Sequence, residues 1–135
     1  MLARRVWMPA FAGTTEGNDV RAGYVYIMAN TRNGTLYVGV TSDIVRRIHE
    51  HREGAVDGST KRYNLKCLVW YEEHSEIAVA IRREKAIKAW QRTWKLRLIE
   101  TENPDWNDLW PSLFGEGQSV ADWLENHYGE KPDEN

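Results

Sequence analysis

The chain has very little cysteine and no long apolar run, and each shortage excludes something. Cys67 is the only cysteine among 135 residues, so no internal disulfide can staple the fold. It lies in an apolar, strand-like run, where a cysteine behaves as a small buried hydrophobe, which argues against a catalytic thiol. No apolar stretch approaches the roughly 20 residues needed to cross a bilayer as a helix. Prolines number four and glycines ten, too few for a low-complexity or fibrous chain. The length fits one domain with its own core, and 41% hydrophobic with 28% charged residues is ordinary for a soluble globular protein.

A secretory signal is also poorly represented. Arg4 and Arg5 precede Val6 to Ala12 and the small-residue triplet Ala10-Phe11-Ala12, but the apolar stretch is minimal and Pro9 interrupts it. Residues 1 to 22 are therefore expected to be a disordered or loosely packed extension, and the protein is expected in the cytoplasm.

The net charge of -2 lacks the basic excess usual for nucleic-acid binding, until it is divided along the chain. Residues 32 to 62 carry six Lys/Arg (Arg32, Arg46, Arg47, Arg52, Lys61, Arg62) against four acids. Residues 82 to 99 carry seven (Arg82, Arg83, Lys85, Lys88, Arg92, Lys95, Arg97) against Glu84 alone. Residues 100 to 135 carry ten acids against Lys131. The acidity is concentrated in the tail. The middle is basic enough to meet phosphates, although such a run is more often a solvated helix face.

Several elements are legible. Tyr24 to Met28 and Thr35 to Val40 are β-branched and aromatic runs joined by Thr31-Arg32-Asn33-Gly34, a hairpin signal because Asn-Gly tolerates positive φ. Thr41-Ser42-Asp43 supplies caps for a helix over about Asp43 to Glu53, with Ile44 and Ile48 one turn apart. Gly54 and Gly58 mark the loop after it. Lys66 to Glu72 reads as a strand buried on both faces, because its apolar residues run nearly unbroken. Ser75 is placed to cap a helix from about Glu76 to Trp90, and Trp94 to Ile99 continues as a further helical piece stopped before Pro104. Trp106, Trp110 and Trp123 sit in short amphipathic turns as packing anchors, and residues 129 to 135 read as disordered. The order β-β-α-β-α-α is too short for a doubly wound fold. The expectation is a three-stranded sheet flanked by helices, an α+β domain over residues 23 to 110, followed by a helical turn and acidic tail over 111 to 135.

Three groups of residues carry possible chemistry. Asp43, Arg47 and His51 are spaced by four and line one helix face, so Arg47 and His51 can address one ligand. By spacing alone, an Asp-Arg pair with an incidental histidine is the preferred reading. Ile77, Ala80, Ile81 and Ile87 trace an apolar stripe in which Glu84 occupies an inward position. An inward carboxylate needs an arginine or a metal, and the arginine is the stronger reading from this observation alone. Tyr24, Tyr26 and Tyr37 occupy period-two positions on the hairpin; tyrosines there are most often packing residues with a polar tip.

Taken together and in order, these residues resemble the GIY-YIG nuclease superfamily. The resemblance rests on Tyr24-Val25-Tyr26, then Tyr37-Val38-Gly39, then Arg47 ten positions after Tyr37, then Glu84 on a later helix. It extends to small stand-alone bacterial members through Asn33 to Thr41, Lys61-Arg62-Tyr63-Asn64, Arg83 to Trp90 and Asn103-Pro104-Asp105-Trp106, over about residues 23 to 110. A lone Tyr-Val-Gly is weak; the ordered set with these spacings is specific. The sequence departs from the pattern at Tyr24, where the family name has its first glycine, and at Val40, where several relatives have a lysine.

What the resemblance implies is a phosphodiester hydrolase similar to the nuclease domain of the excision-repair protein UvrC and to phage homing endonucleases, acting on nucleic acid and on DNA in particular. It implies that Tyr37 helps activate water with Tyr26 nearby, that Arg47 stabilises the phosphate, and that Glu84 holds one Mg2+ or Mn2+. It places His51 near the nucleophile. Arg46, Arg52, Lys61, Arg62, Arg83 and Lys88 are then the candidates to hold the nucleic-acid backbone. Two readings of other classes stay open: a binding domain with little activity, and a protein-interaction module using Trp106, Trp110 and Trp123.

Overall fold

The computed structural model describes residues 5–7, 21–56 and 58–114. Strands β1 (Arg5–Trp7), β2 (Gly23–Ala29) and β3 (Leu36–Thr41) precede helices α1 (Ile44–Arg52) and α2 (Ser59–Arg62), which are followed by β4 (Cys67–His74), α3 (Ile77–Ala89), α4 (Arg92–Glu102) and a 3-10 turn at Trp110–Leu113. Three strands form the expected antiparallel sheet: β2 is central, with β3 on one side and β4 on the other. The short β1 adds a fourth strand, parallel to β4, so the sheet order is β1-β4-β2-β3. Those three residues belong to the segment expected to be loose; most of that segment, Trp123 and the acidic tail lie outside the described residues. No helix among the described residues is long and apolar enough to cross a membrane.

The hairpin forms where Asn-Gly predicts it. Asn33 takes the left-handed conformation with φ 60°, and the Gly34 amide donates to the Thr31 carbonyl at 2.9 Å. The period-two pattern then sorts β2. Val25, Ile27 and Ala29 face Ala80 and Ile87 of α3 and Ile99 of α4. Tyr26 and Met28 face Ile44 and Ile48 of α1 together with Leu65, Leu68 and Trp110. The sheet thus carries a core on each face, which is why the middle of β4 is apolar throughout.

The helices start and stop near their expected limits, with instructive differences. Asp43 caps α1, its Oδ1 accepting from the Arg46 amide at 3.2 Å. Ser75 does not cap α3; that place is taken by Glu76, whose side chain makes no capping bond. Instead, the Ile77 amide donates to the Arg21 carbonyl at 2.9 Å, so the chain entering β2 supplies the acceptor. Gly23 lies under this helix start, where a Cβ would come within 2.8 Å of Ile77 Cα and Ala80 Cβ. Ile81 is exposed, so the inward line of α3 is Ala80, Glu84 and Ile87. Burial raises the Cys67 thiol above its ordinary pKa, in keeping with an inert cysteine.

One carboxylate closes the far end of the domain. Asp108 Oδ1 accepts from the amides of Leu68 (3.2 Å) and Trp110 (3.0 Å), and Oδ2 accepts from Arg52 Nη1 at 2.7 Å. Arg52 also lies 5.2 Å over the Trp110 ring. Beside it, buried Asn103 donates to the carbonyls of Val69 (3.0 Å) and Asn107 (2.9 Å). Trp106 and Trp110 are buried by these ties, which removes two of the three tryptophans from the protein-interaction reading. Asp108→Ala should therefore destabilise the fold by about 2–4 kcal/mol in chemical denaturation, since two amides and a guanidinium lose their acceptor. A change within about 0.5 kcal/mol would show that the C-terminal segment is held by apolar packing alone.

Candidate active site

The site begins at a crossing of β2, β3 and α1. Tyr26 points to the α1 side of the sheet, is 1% exposed, and its Oη lies 2.8 Å from His51 Nε2. His51 is 2% exposed, and its Nδ1 lies 3.0 Å from Thr60 Oγ1 on α2. Tyr37 packs against both, its ring centroid 6.2 Å from that of Tyr26 and 5.4 Å, edge-on, from that of His51. It remains half-buried, so of the three rings it is the one with a path to solvent. Tyr24 shares this face, but its hydroxyl donates to Glu73 at 3.3 Å instead of joining the cluster.

Gly39 makes this packing possible. It pairs with Tyr26 across β2 and β3, and a Cβ there would stand 2.5 Å from Tyr26 Oη, 2.6 Å from Tyr26 Cζ and 2.9 Å from Tyr37 Cε2. The glycine of Tyr37-Val38-Gly39 is thus the space into which the Tyr26 phenol extends.

The electrostatics follow from burial. Desolvation first, and then the Tyr37 phenol, hold the Tyr26 hydroxyl above the ordinary tyrosine range; Arg47 opposes this and Glu84 adds to it. Burial, assisted by the Arg47 charge, lowers His51 from 6.5 to about 4. The imidazole is therefore neutral at pH 7, with one donor and one acceptor to satisfy the two hydroxyls it meets.

Arg47 is half-buried on the same helix, with Nη1 3.7 Å from Glu50 Oε1, a long pair that leaves most of the guanidinium available. Glu84 lies on α3, and its charge acts on the Tyr26 hydroxyl. It is 7% exposed, and its Oε2 lies 2.7 Å from Nζ of Lys88, one turn further on. The partner of this inward carboxylate is therefore a lysine, where the sequence suggested an arginine or a metal. The hydrogen bond to Glu84 raises Lys88 above its ordinary pKa, and the Tyr37 phenol adds to the shift.

For the metal implied by the resemblance, the cluster offers one inward carboxylate, Glu84. Among the described residues no group of three or more His, Cys, Asp or Glu could hold an ion. A single buried carboxylate suits a hard cation that keeps waters and takes phosphate oxygens as further ligands. Lys88 is 52% exposed at its side chain and free to swing aside, so the donor set fits that mode.

The expected backbone-binding cations are not alike. Arg46 pairs with Glu50 at 3.5 Å on the surface, and Arg62 is exposed over the Tyr63 ring. Lys61 is exposed on α2. Arg52 is engaged by Asp108 and the Lys66 carbonyl. Arg83 donates to buried Glu72 at 3.0 Å and lies over Trp90, so it and Arg52 hold structure in place of phosphate. Sequence reasoning missed Thr60, and it took Lys88 as a cation for the nucleic-acid backbone where the structure pairs it with Glu84; the signal for that pair was the four-residue step from Glu84 to Lys88.

Residues 22–97 match the GIY-YIG catalytic domain family, and the chain belongs to it. Within that family it is similar to small bacterial proteins of the UPF0213 group. It is 38% identical over 77 residues to one from Staphylococcus haemolyticus, covering 57% of this chain and 93% of the relative. It is 34% identical over 102 residues to one from Desulfotalea psychrophila, covering 74% and 92%. A solution NMR structure of a UPF0213 protein from Bacillus halodurans superposes with a TM-score of 0.41 at 26% identity, over 64% of this chain and 92% of that one.

Two outcomes check the site. Gly39→Ala normally gains about 0.5–1 kcal/mol in a strand from backbone entropy. Here overpacking against two rings costs about 1–3 kcal/mol, so thermal unfolding should move down as the alanine methyl pushes the Tyr26 phenol away from His51. His51 sets a pH dependence. Its lowered pKa means that the unfolded chain binds the proton first, so its contribution is complete above about pH 6.5 and is lost as pH falls toward and through about 4. Unfolding free energy should drop by on the order of 2 kcal/mol between pH 7 and 5 from this group, and His51→Gln should remove that slope. An unchanged slope in the variant would show that His51 keeps its proton when buried.

Proposed function

We propose that this chain is a metal-dependent endonuclease that hydrolyses phosphodiester bonds in nucleic acid, with DNA as substrate. The observation supporting this reading is the coincidence at one hydroxyl. Tyr26 is bonded by His51, packed by Tyr37, and influenced by both the Arg47 cation and the Glu84 anion, which come from different helices. In this family such a set implies phosphoryl chemistry.

The residue types suit the reaction. Hydrolysis places negative charge on the non-bridging and leaving oxygens of the phosphate, and a fixed guanidinium favours that state over the ground state. Arg47 is the group for this, held on α1 beside the tyrosines. Tyr37 has access to solvent and takes the proton of the attacking water, with Arg47 and Lys88 as the charges that offset the phenolate. Tyr26, His51 and Thr60 are buried and bonded in a chain, and they position Tyr37. Glu84 would hold one magnesium or manganese ion, which supplies Lewis-acid stabilisation of the phosphate oxygens when bound.

A second reading, nucleic-acid binding without cleavage, is favoured by the Glu84–Lys88 pair, because the lysine occupies the carboxylate that the metal needs. One set of measurements separates the two. Magnesium-dependent nicking of a plasmid should fall by about 10²–10³ in Arg47→Ala and be lost in Glu84→Gln, with Glu84→Gln close to native stability. Lys88→Met should lower the metal concentration needed for cleavage. Binding without nicking under all metal conditions would establish the second reading, and severe destabilisation of Glu84→Gln with residual cleavage would show that this glutamate is structural.

A further inference from the structure

The cations at the start of α4 take no part in that chemistry. Between the hairpin tip and the first turns of α4 lies an open cleft of about 540 Å3, with Asn30, Asn33, Gly34 and Thr35 on one wall and Arg92 and Lys95 on the other. No carboxylate lines it. Arg92 Nη2 donates to the carbonyls of Asn33 at 2.7 Å and Gly34 at 2.6 Å, which fixes the guanidinium against the turn. Of its five N–H groups, those on Nε and Nη1 have no protein partner among the described residues. Lys95 is half-buried in the wall and has no ion pair among the described residues. Two cations converging on one polar cleft without a counter-charge make a site for an anion.

The position of the cleft says which anion. Leu36 lines it and directly precedes Tyr37 on β3, which is the edge of the sheet. On the helix side, Lys88 stands in the last turn of α3 and Arg92 begins α4, with the extended pair Trp90 and Gln91 between the two helices. Arg92 and Lys95 therefore stand beside the hairpin tip, at the end of the edge strand that carries Tyr37. The span from Tyr37 to Gly34 is three residues, roughly 10 Å along a strand. The cleft has no aromatic wall on which a base could stack, so it suits a phosphate and carries no sequence preference.

The geometry points to the hairpin–α4 cleft as a second phosphate subsite, in which Arg92 and Lys95 hold a backbone phosphate of the strand whose scissile phosphate lies at Arg47. This inference rests on the nuclease reading and extends it with a binding track along β3. The subsite fixes the direction in which the strand leaves the site and contributes affinity independent of sequence.

The test uses the full chain without metal, so that nothing is cleaved. Fluorescence anisotropy follows binding of a short labelled DNA duplex, the same single strand, and its RNA counterpart, from about 50 to 200 mM salt. Lys95→Gln removes the charge without touching the hairpin. It should weaken duplex binding several-fold and reduce the slope of log Kd against log salt by about 0.9, or by about 0.7 on a single strand. Arg97→Gln makes the same charge change in the same helix but lies on the Trp90–Trp94 groove, and it should leave the slope unchanged. Loss on any of the three probes supports the subsite, and the probe most affected identifies the nucleic acid. Equal effects of Lys95→Gln and Arg97→Gln, or none from either, overturn it. If the wild-type chain binds none of the probes, the nuclease reading falls as well; if Lys95→Gln alone loses affinity while Arg47→Ala still cleaves, the subsite stands and the assignment of Arg47 falls.

Discussion

The buried hydrogen bond between Tyr26 and His51 is the contact on which the rest of the candidate site depends. It ties the central strand to α1, and through Thr60 it ties both to the short helix that follows. Neither partner can lose the other cheaply, because a polar group left unsatisfied in a dry interior forfeits its hydration with nothing in return. Gly39 is the condition for that bond, since any larger residue would occupy the volume of the Tyr26 phenol. Tyr37 is then oriented by packing against two rings that are themselves fixed. A half-buried phenol gains a defined direction in this way without surrendering its access to solvent.

Charge is distributed by the same logic. Among the described residues two carboxylates are buried, and each has a cation. Glu72 is bonded by Arg83 and His74, and Glu84 by Lys88. The difference lies in the cations. Arg83 is held by its bond to Glu72 and lies over Trp90, whereas Lys88 extends a flexible stem into solvent from one helical turn away. A planar guanidinium locked on two sides is a structural partner; a solvated ammonium is exchangeable. On this ground Glu84 is the carboxylate suited to a ligand and Glu72 the one suited to stability.

The aromatic residues divide in the same manner. Trp106 and Trp110 are taken up by the Asp108 and Asn103 ties that close the C-terminal end of the described domain. Among the described residues Trp94 is the exposed tryptophan, at 49%, and it lines a groove with Trp90 and Arg97 that is separate from the cleft of Arg92 and Lys95. Helix α4 thus has a cationic side toward the hairpin and an aromatic side beyond it.

Local patterns determined a good deal by themselves. The Asn33-Gly34 turn, the Asp43 cap, the two-sided burial of the Cys67 strand, and the four-residue spacing of Asp43, Arg47 and His51 all follow from dihedral preference, capping and periodicity, which act over a few residues. The ordered Tyr26, Tyr37, Arg47 and Glu84 set, with its spacings, was enough to indicate the family. Other features were decided only in three dimensions. Sequence placed Glu84 inward but did not show Lys88 as its partner, and it ranked Arg52 and Arg83 with the phosphate-binding candidates although Asp108 and Glu72 hold them. It could not show that His51 is neutral or that Arg92 and Lys95 face one cleft. The reason is physical: whether a charge is solvated, paired or aimed at a ligand depends on which distant segments pack against it, and that information exists only once the sheet has brought them together.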